Sequence, residues 1–306
     1  MSHHLSWLEA GVVGAFQGVA ELFPVSSLGH SVLIPALVGG SWQRDLDVSA
    51  TESPYLAFIV GLHVATALAL IVYFWRDWVR IIGGLFSSIA RREVRTSDQR
   101  LAWLLVLATI PVGIAGLALE HTFRTTLGKP VPAAVFLLLN GGVLLFAEWM
   151  RRHATSAEAE LEQHYIDERV SGPDSDARLA VQPVKQAVGI GALQIAALLP
   201  GISRSGVAMV GGLWTGMTRE DAARFSYLLA TPVILAAGAL KIPDLTGSLG
   251  AGIHGQILFG ALLSFIGAYL SVRFLTRYFA NRSLRPFGIY CMLAGAACLV
   301  VFGVRG

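Results

Sequence analysis

The sequence predicts an all-α polytopic membrane protein, and three features of its composition lead to that class. Hydrophobic residues make up 54% of the 306 residues, and the mean hydropathy is +0.62. Charged residues contribute only 14%, against about 25% in soluble domains. The apolar residues also gather into six blocks of about 16–21 residues, and roughly 20 such residues cross a bilayer as one helix. A disordered chain, a coiled coil and an ordinary cytosolic enzyme are excluded.

The six blocks predict six full spans, and the basic residues orient them. The loops after the first, third and fifth spans carry 15 of the 23 Lys and Arg residues, whereas the other loops and the termini carry five. Because short basic loops mark the cytoplasmic side, these three loops are predicted to lie inside. Nucleic-acid binding is not expected, since the basic residues lie between spans. The predicted spans are residues 55–75, 101–119, 132–150, 222–241, 256–275 and 285–303.

Two further apolar segments, residues 9–38 and 186–217, are interrupted near their middles. The first break contains Pro24 and the second contains Pro200 followed by Gly201. A residue that precedes proline disfavours helix, and Pro-Gly is a strong turn signal. Each segment is therefore predicted to form a re-entrant hairpin of two half-helices, the first opening outward and the second inward.

The two hairpins are also related in sequence. A shift of 177 residues aligns positions 14–30 with 191–207 and gives seven identities in 17 positions without a gap. Each hairpin precedes three spans, so residues 1–150 and 186–306 are predicted to be inverted-topology repeats. The polar residues 151–185 between them are predicted to form a flexible cytoplasmic linker.

Charged residues are most informative where a bilayer makes them costly. Glu21 is the only formal charge between Ala10 and Gln43, and Arg204 is the only one between Gln186 and Thr218. A charge at the bilayer centre costs roughly 2.5–3.5 kcal/mol, so such residues face a cavity or a partner. A functional site at the two breaks is the favoured interpretation; the alternative is that the two charges pair only to hold the repeats together.

In the first hairpin, polar groups surround the break. Gln17 and Glu21 lie four residues apart, on one face of the first half-helix. Ser26 and Ser27 begin the second half-helix, where free N–H groups and the helix dipole favour an anion. His30 follows one turn later. Each serine taken alone also fits a helix cap.

In the second hairpin, Ser203, Arg204 and Ser205 occupy the equivalent helix start. A guanidinium flanked by hydroxyls and N–H groups matches a phosphate oxyanion. Together the hairpins offer an anion cradle, a carboxylate for a metal or a proton, hydroxyls and an imidazole, which suits phosphoryl transfer. His63 and Gln194 are further candidates, although a mid-span His63 equally fits a hydrogen bond between spans.

These motifs resemble one family. The stretch from Gln17 to His30 resembles the (Glu/Gln)-x-x-x-Glu and Pro-x-Ser-Ser-x-Gly-His motifs of the bacterial undecaprenyl-diphosphatases of the bacitracin-resistance type. The stretch from Pro200 to Gly206 resembles their Pro-Gly-x-Ser-Arg-Ser motif, and Phe225 to Pro232 resembles the span that follows. The resemblance covers nearly the whole chain except the long linker.

The resemblance implies a multi-pass protein of the bacterial plasma membrane. It would hydrolyse undecaprenyl diphosphate to the monophosphate and inorganic phosphate, recycle the lipid carrier of peptidoglycan precursors and confer bacitracin resistance. Mg²⁺ or Ca²⁺ is the expected cofactor, and the oligomeric state, a homodimer included, stays open.

The resemblance also implies roles for individual residues. Glu21 with Gln17 would handle the metal or a proton, and Arg204 would clamp the diphosphate. Ser27 or His30 would be the nucleophile, with the other assisting. The remaining residues expected to bind the diphosphate are Ser26, Gly201, Ser203 and Ser205.

Three positions depart from the family pattern, and two other functions stay open. Ala20, Leu28 and Ala208 stand where the family commonly has hydroxyl residues, which allows lower turnover or an inactive lipid-binding relative. Inverted repeats with broken helices are also typical of transporters. The main alternative is therefore a carrier or flippase of polyprenyl phosphate lipids.

Overall fold

The computed structural model describes residues 5–48, 54–152, 172–246 and 252–305, and in these ranges the regular structure is helical throughout. The all-α fold class is thereby confirmed. The α-helices, in chain order, are α1 Trp7–Ala20, α2 Ser27–Val38, α3 Gly40–Asp45, α4 Pro54–Tyr73, α5 Trp75–Arg91, α6 Ser97–Leu127, α7 Pro130–Arg152, α8 Gly172–Ala180, α9 Val184–Leu193, α10 Arg204–Trp214, α11 Arg219–Thr246, α12 His254–Asn281 and α13 Arg285–Arg305.

Six of these helices, α4, α6, α7, α11, α12 and α13, are long and apolar enough to cross a membrane. They coincide with the six predicted spans, and several extend beyond the apolar block. Helix α6, for example, begins at Ser97 because the Thr96 hydroxyl accepts a hydrogen bond from Gln99 N and the Gln99 side chain bonds back to the cap. Such a capping box starts a helix in polar sequence, so hydrophobicity alone underestimates its length.

Both predicted breaks are interruptions between helices. Helix α1 ends at Ala20 and α2 begins at Ser27, with Ser26 as its N-cap. In the second hairpin α9 continues into a 3-10 helix, Gln194–Leu198, and α10 begins after Ser203.

The first half-helix of each hairpin packs against a long helix from the other half of the chain, α1 on α12 and α9 on α6. The crossings fall at aligned glycines: a Cβ at Gly14 would overlap the Gly260 carbonyl, and one at Gly191 would overlap the Ala108 carbonyl. Small residues let membrane helices approach this closely. This arrangement brings the two breaks together, and the shared crossing supports the predicted repeat, which remains a prediction.

The predicted flexible linker requires a correction at its end. Residues 172–180 form α8, which packs on α6 and α11. Asp176 is buried there, 2.8 Å from Arg224 Nε and 2.8 Å from Arg80 NH2. The polar composition suggested solvation, but these charges pair with arginines distant in sequence. Residues 153–171 of the predicted linker lie outside the described residues.

Candidate functional site

A strained serine joins the two breaks. Ser26 Oγ accepts hydrogen bonds from Gly29 N at 3.1 Å and from Gly201 N at 3.2 Å. Its backbone has a φ of +67°, a region that a serine adopts only when its surroundings impose it. Ser26 therefore caps α2 and fastens the second break to the first.

Asn140, at the middle of α7, makes a second bridge between the breaks. Its Nδ2 donates to the Pro24 carbonyl at 3.1 Å, and its Oδ1 accepts from Ser203 N at 3.0 Å. The side chain is 1% exposed. One amide thus satisfies a backbone acceptor of the first break and a backbone donor of the second.

Glu21 lies at the centre of the buried polar cluster. Its Oε2 accepts from Ser27 Oγ at 2.5 Å and from Gln17 Nε2 at 3.1 Å. Its Oε1 lies 3.1 Å from Arg204 NH2 of the second hairpin. Three predicted site residues therefore meet around the carboxylate of a fourth.

His63 of α4 joins the same carboxylate. Its Nε2 lies 3.3 Å from Glu21 Oε2, and its Nδ1 lies 2.8 Å from the Ile59 carbonyl. Because a carbonyl only accepts, Nδ1 carries a hydrogen, and a favourable contact requires a further proton between Nε2 and the carboxylate. This geometry supports a place in the site rather than a hydrogen bond between spans.

His30 points away from this cluster. Its Nδ1 lies 2.7 Å from the Ser26 carbonyl, and its Nε2 lies 2.8 Å from the Tyr290 hydroxyl. The Tyr290 ring also stacks on the imidazole at 5.7 Å between centroids. Both ring nitrogens are engaged, so the imidazole braces the strained Ser26 backbone.

The hydroxyls of the second break act mainly on the backbone. Ser203 Oγ accepts from Gly206 N at 3.1 Å and lies 3.1 Å from Ser205 Oγ, which donates to the Phe23 carbonyl at 3.2 Å. Gly201 has a φ of +114°, and a Cβ there would lie 2.6 Å from Leu137 N. The Gly201 N–H already donates to Ser26 Oγ. Close packing therefore accounts for the presence of a glycine at this position.

Several buried polar atoms have no partner among the described residues. They include Nε and NH1 of Arg204, Oε1 of Gln17 and both amide atoms of Gln194. Buried polar groups are normally hydrogen-bonded, and orphaned ones require an explanation. The free N–H groups beside the Glu21 cluster match the oxygens of an anion.

These residues supply too few ligands for a divalent cation unless phosphate oxygens of a substrate complete its coordination shell. No group of three His, Cys, Asp or Glu side chains that could hold a metal occurs in the described ranges. Both Glu21 oxygens already accept hydrogen bonds, which leaves Gln17 Oε1 as an additional oxygen ligand. Mg²⁺ commonly takes one or two carboxylates and completes its shell with phosphate oxygens and water.

Two supporting residues could not be assigned from sequence. Tyr290 carries no local signal that pairs it with His30, 260 positions away. Asn140 carries a weak sequence signal, because an amide side chain in the middle of a span is expected to form a hydrogen bond with another helix. Its two partners become apparent only once the hairpins are placed.

The fold and the cluster define a class: a multi-pass α-helical membrane protein with a buried cluster of polar and charged side chains between two broken hairpins. The family model described as bacitracin resistance protein BacA matches residues 10–297. The chain is 64% identical to the undecaprenyl-diphosphatase of Mycolicibacterium paratuberculosis, over 100% of both chains. It is 49% identical to undecaprenyl-diphosphatase 1 of Frankia casuarinae, over 98% of this chain and 99% of the relative. The chain belongs to the bacitracin resistance protein BacA family, whose members are bacterial membrane proteins.

Proposed function

We propose that this protein hydrolyses undecaprenyl diphosphate to undecaprenyl phosphate and inorganic phosphate. The observation that carries the proposal is the contact of Ser27 Oγ with Glu21 Oε2 at 2.5 Å, beside the free N–H groups of Arg204. A hydroxyl held by a carboxylate next to an anion-binding guanidinium is the arrangement of an activated nucleophile. The full-length similarity to undecaprenyl-diphosphatases supports the same substrate.

Of the two candidates, Ser27 and His30, Ser27 is the proposed nucleophile, and its contact with Glu21 supports this choice. Ser27 Oγ attacks the terminal phosphorus, and its proton passes by way of Glu21 to the bridging oxygen. The bond between that oxygen and the terminal phosphorus breaks, undecaprenyl phosphate leaves, and Glu21 is again a carboxylate. Water then attacks the phosphoserine, its proton is taken by Glu21, and phosphate leaves as the serine regains its hydrogen. His63, on the same carboxylate oxygen, is placed to exchange that proton.

Arg204 stabilises the charge that develops on the transferred phosphoryl group. Only its NH2 is used by Glu21, so Nε and NH1 are available for phosphate oxygens. Such preorganised donors in a site without bulk water are a large source of rate enhancement. His30 is a positioning residue, because its nitrogens hold Ser26 and Tyr290.

Mg²⁺ or Ca²⁺ would be held by Glu21 and Gln17 together with the diphosphate. When bound, the cation would neutralise negative charge on the phosphate oxygens. This part of the proposal depends on Gln17 Oε1, which has no partner within the described ranges.

Transport of polyprenyl phosphates would use Arg204 but does not require a serine that is hydrogen-bonded to a carboxylate, so the geometry does not favour a transporter.

The phosphatase function is tested by phosphate release from undecaprenyl diphosphate by purified protein, with Mg²⁺, with Ca²⁺ and with a chelator. The wild type should release phosphate and lose this activity with the chelator, and Arg204→Ala and Glu21→Gln should be inactive. Arg100→Ala, at an exposed arginine, is the control. No release by folded wild-type protein that still binds the lipid would overturn the phosphatase function.

A further inference from the structure

A basic groove lies at the end of α12, apart from the site described above. Its volume is about 510 Å³, and three arginines line it together with aromatic side chains. Arg273 and Arg277 lie one turn apart on α12, and Arg282 is the C-cap residue of that helix. The loop between α12 and α13, which follows Arg282, is on the side that the positive-inside rule assigns to the cytoplasm.

Among the described residues, no carboxylate neutralises the three arginines. Arg273, Arg277 and Arg282 are exposed, and none has a carboxylate partner in the described part of the chain. In contrast, Arg219 and Arg224 of α11 pair with Glu148 and Asp176. The groove therefore presents guanidinium groups that are free to bind an anion bidentately.

The groove is held in shape by local contacts. The Tyr278 hydroxyl donates to the Ser283 carbonyl at 3.2 Å, and Arg282 N donates to the Tyr278 carbonyl at 2.9 Å. The Tyr278 ring also packs edge-on against Phe287 at 5.4 Å. These contacts fix the turn that carries Arg282 and preorganise the groove.

One side of the groove is apolar and leads toward the first break. Leu270 and Phe274 are more than half exposed on the surface of α12, where an acyl or isoprenyl chain would lie. The Phe274 ring stacks on Phe23 at 6.1 Å, and the Phe23 carbonyl accepts the hydrogen bond from Ser205. A single ring contact thus connects the groove with the catalytic hairpins.

We propose that this groove binds the headgroup of a lipid phosphate monoester, the chemical class that the proposed reaction releases. The inference rests on the proposed function for the identity of the lipid. Three unpaired guanidinium groups match a headgroup that carries up to two negative charges better than a phosphodiester with one. The exposed Leu270 and Phe274 match a hydrocarbon chain that stays in the membrane.

The test is photo-crosslinking in phosphatidylcholine nanodiscs with a polyprenyl monophosphate that carries a diazirine in its first isoprene unit. Labelled peptides are mapped by mass spectrometry. The expected result is label in residues 270–282 of the wild type and of Glu21→Gln, because binding of the monophosphate needs no turnover. Label in this region should fall at least tenfold in the triple variant Arg273→Gln, Arg277→Gln, Arg282→Gln.

Matched variants separate the groove from a general effect of charge or topology. The triple variant Arg91→Gln, Arg92→Gln, Arg100→Gln removes three exposed arginines elsewhere on the same predicted side and should keep the label. Arg→Lys at the three groove positions keeps charge and orientation, and should label more than the glutamine triple and less than the wild type.

Competition distinguishes the sources of phosphate. Unlabelled polyprenyl monophosphate should displace the probe, whereas phosphatidylglycerol and inorganic phosphate at the same concentration should not. Absence of label in residues 270–282 would overturn the proposal, as would equal displacement by phosphatidylglycerol or by inorganic phosphate. Phosphate release from undecaprenyl diphosphate is a separate assay, so failure of the groove and failure of the phosphatase function give different results.

Discussion

Arg204 and Glu21 form a largely buried ion pair across the two hairpins, with Arg204 NH2 3.1 Å from Glu21 Oε1. The pair uses only one of the three guanidinium nitrogens, and the other two have no partner among the described residues. A purely structural pair would be expected to satisfy the whole guanidinium group, since an unpaired buried donor is costly. The remaining donors therefore favour a role in binding an anion.

The substitution Arg204→Lys tests whether the unpaired guanidinium donors bind an anion. Lysine retains the charge beside Glu21 but removes the fork that binds two phosphate oxygens. We expect kcat/KM for undecaprenyl diphosphate to fall about 10²–10³-fold, the usual effect of losing a preorganised donor. Arg100→Lys is the control. If kcat/KM falls less than threefold in Arg204→Lys, Arg204 contributes only its positive charge and not its two-pronged geometry.

His30 and Tyr290 should act as a unit. Tyr290→Phe removes the hydroxyl that lies 2.8 Å from His30 Nε2. In a double-mutant cycle with His30→Phe, we expect a coupling of about 0.5–3 kcal/mol in the free energy of unfolding. Additive effects on stability, with full loss of turnover in His30→Phe alone, would instead indicate a catalytic imidazole.

Asn140→Leu should destabilise the protein because it leaves Ser203 N unpaired and leaves the Pro24 carbonyl with only the long contact from Cys291 Sγ, at 3.9 Å. Each unsatisfied buried group costs about 1–3 kcal/mol. Thermal unfolding in detergent measures the loss, and Gln43→Leu, at an exposed position of α3, is the control. Equal unfolding temperatures for the two variants would contradict the bridging role of Asn140.

Glu148 connects α7 with α11 and with the residue that precedes α13, near the predicted cytoplasmic side. It is fully buried, binds Arg219 at 2.9 and 2.7 Å and accepts from Leu284 N at 2.9 Å. Glu148→Ala leaves Leu284 N without its acceptor and leaves Arg219, whose side chain is 26% exposed, without its partner. It should therefore cost about 1–3 kcal/mol.

The double variant Glu148→Leu, Arg219→Met separates the charge from the packing. Removing both charges should recover much of the stability lost in Glu148→Ala, since apolar replacements of buried pairs are often tolerated. A cost below about 1 kcal/mol for Glu148→Ala, as expected of an exposed pair, would show that the contact contributes little.

The spans and the core of the site could be predicted from sequence because each leaves a local signature. Long apolar blocks define α4 and α13, and Glu21 and Arg204 are conspicuous as isolated charges in apolar segments. The contacts that define the chemistry are long-range. His63 reaches Glu21 from another helix, and Tyr290 meets His30 only after the two ends of the chain have packed together.

Elements of mixed polarity were harder to predict. Helix α8 lies in a segment rich in charge, and its burial depends on Asp176 meeting Arg80 and Arg224. Helix α5 mixes apolar, charged and small residues within the predicted loop after the first span and packs on α6. In both cases tertiary pairing rather than local hydrophobicity decides the structure.

The most direct test of the proposed chemistry is the turnover of undecaprenyl diphosphate by Ser27→Ala, measured as phosphate release in detergent. Ser41→Ala, an exposed serine on α3, is the matched control. Loss of the attacking hydroxyl should lower kcat by about 10³-fold or more, with binding of the substrate and the unfolding temperature retained. Turnover by Ser27→Ala within tenfold of the wild type would contradict the assignment of Ser27 as the nucleophile.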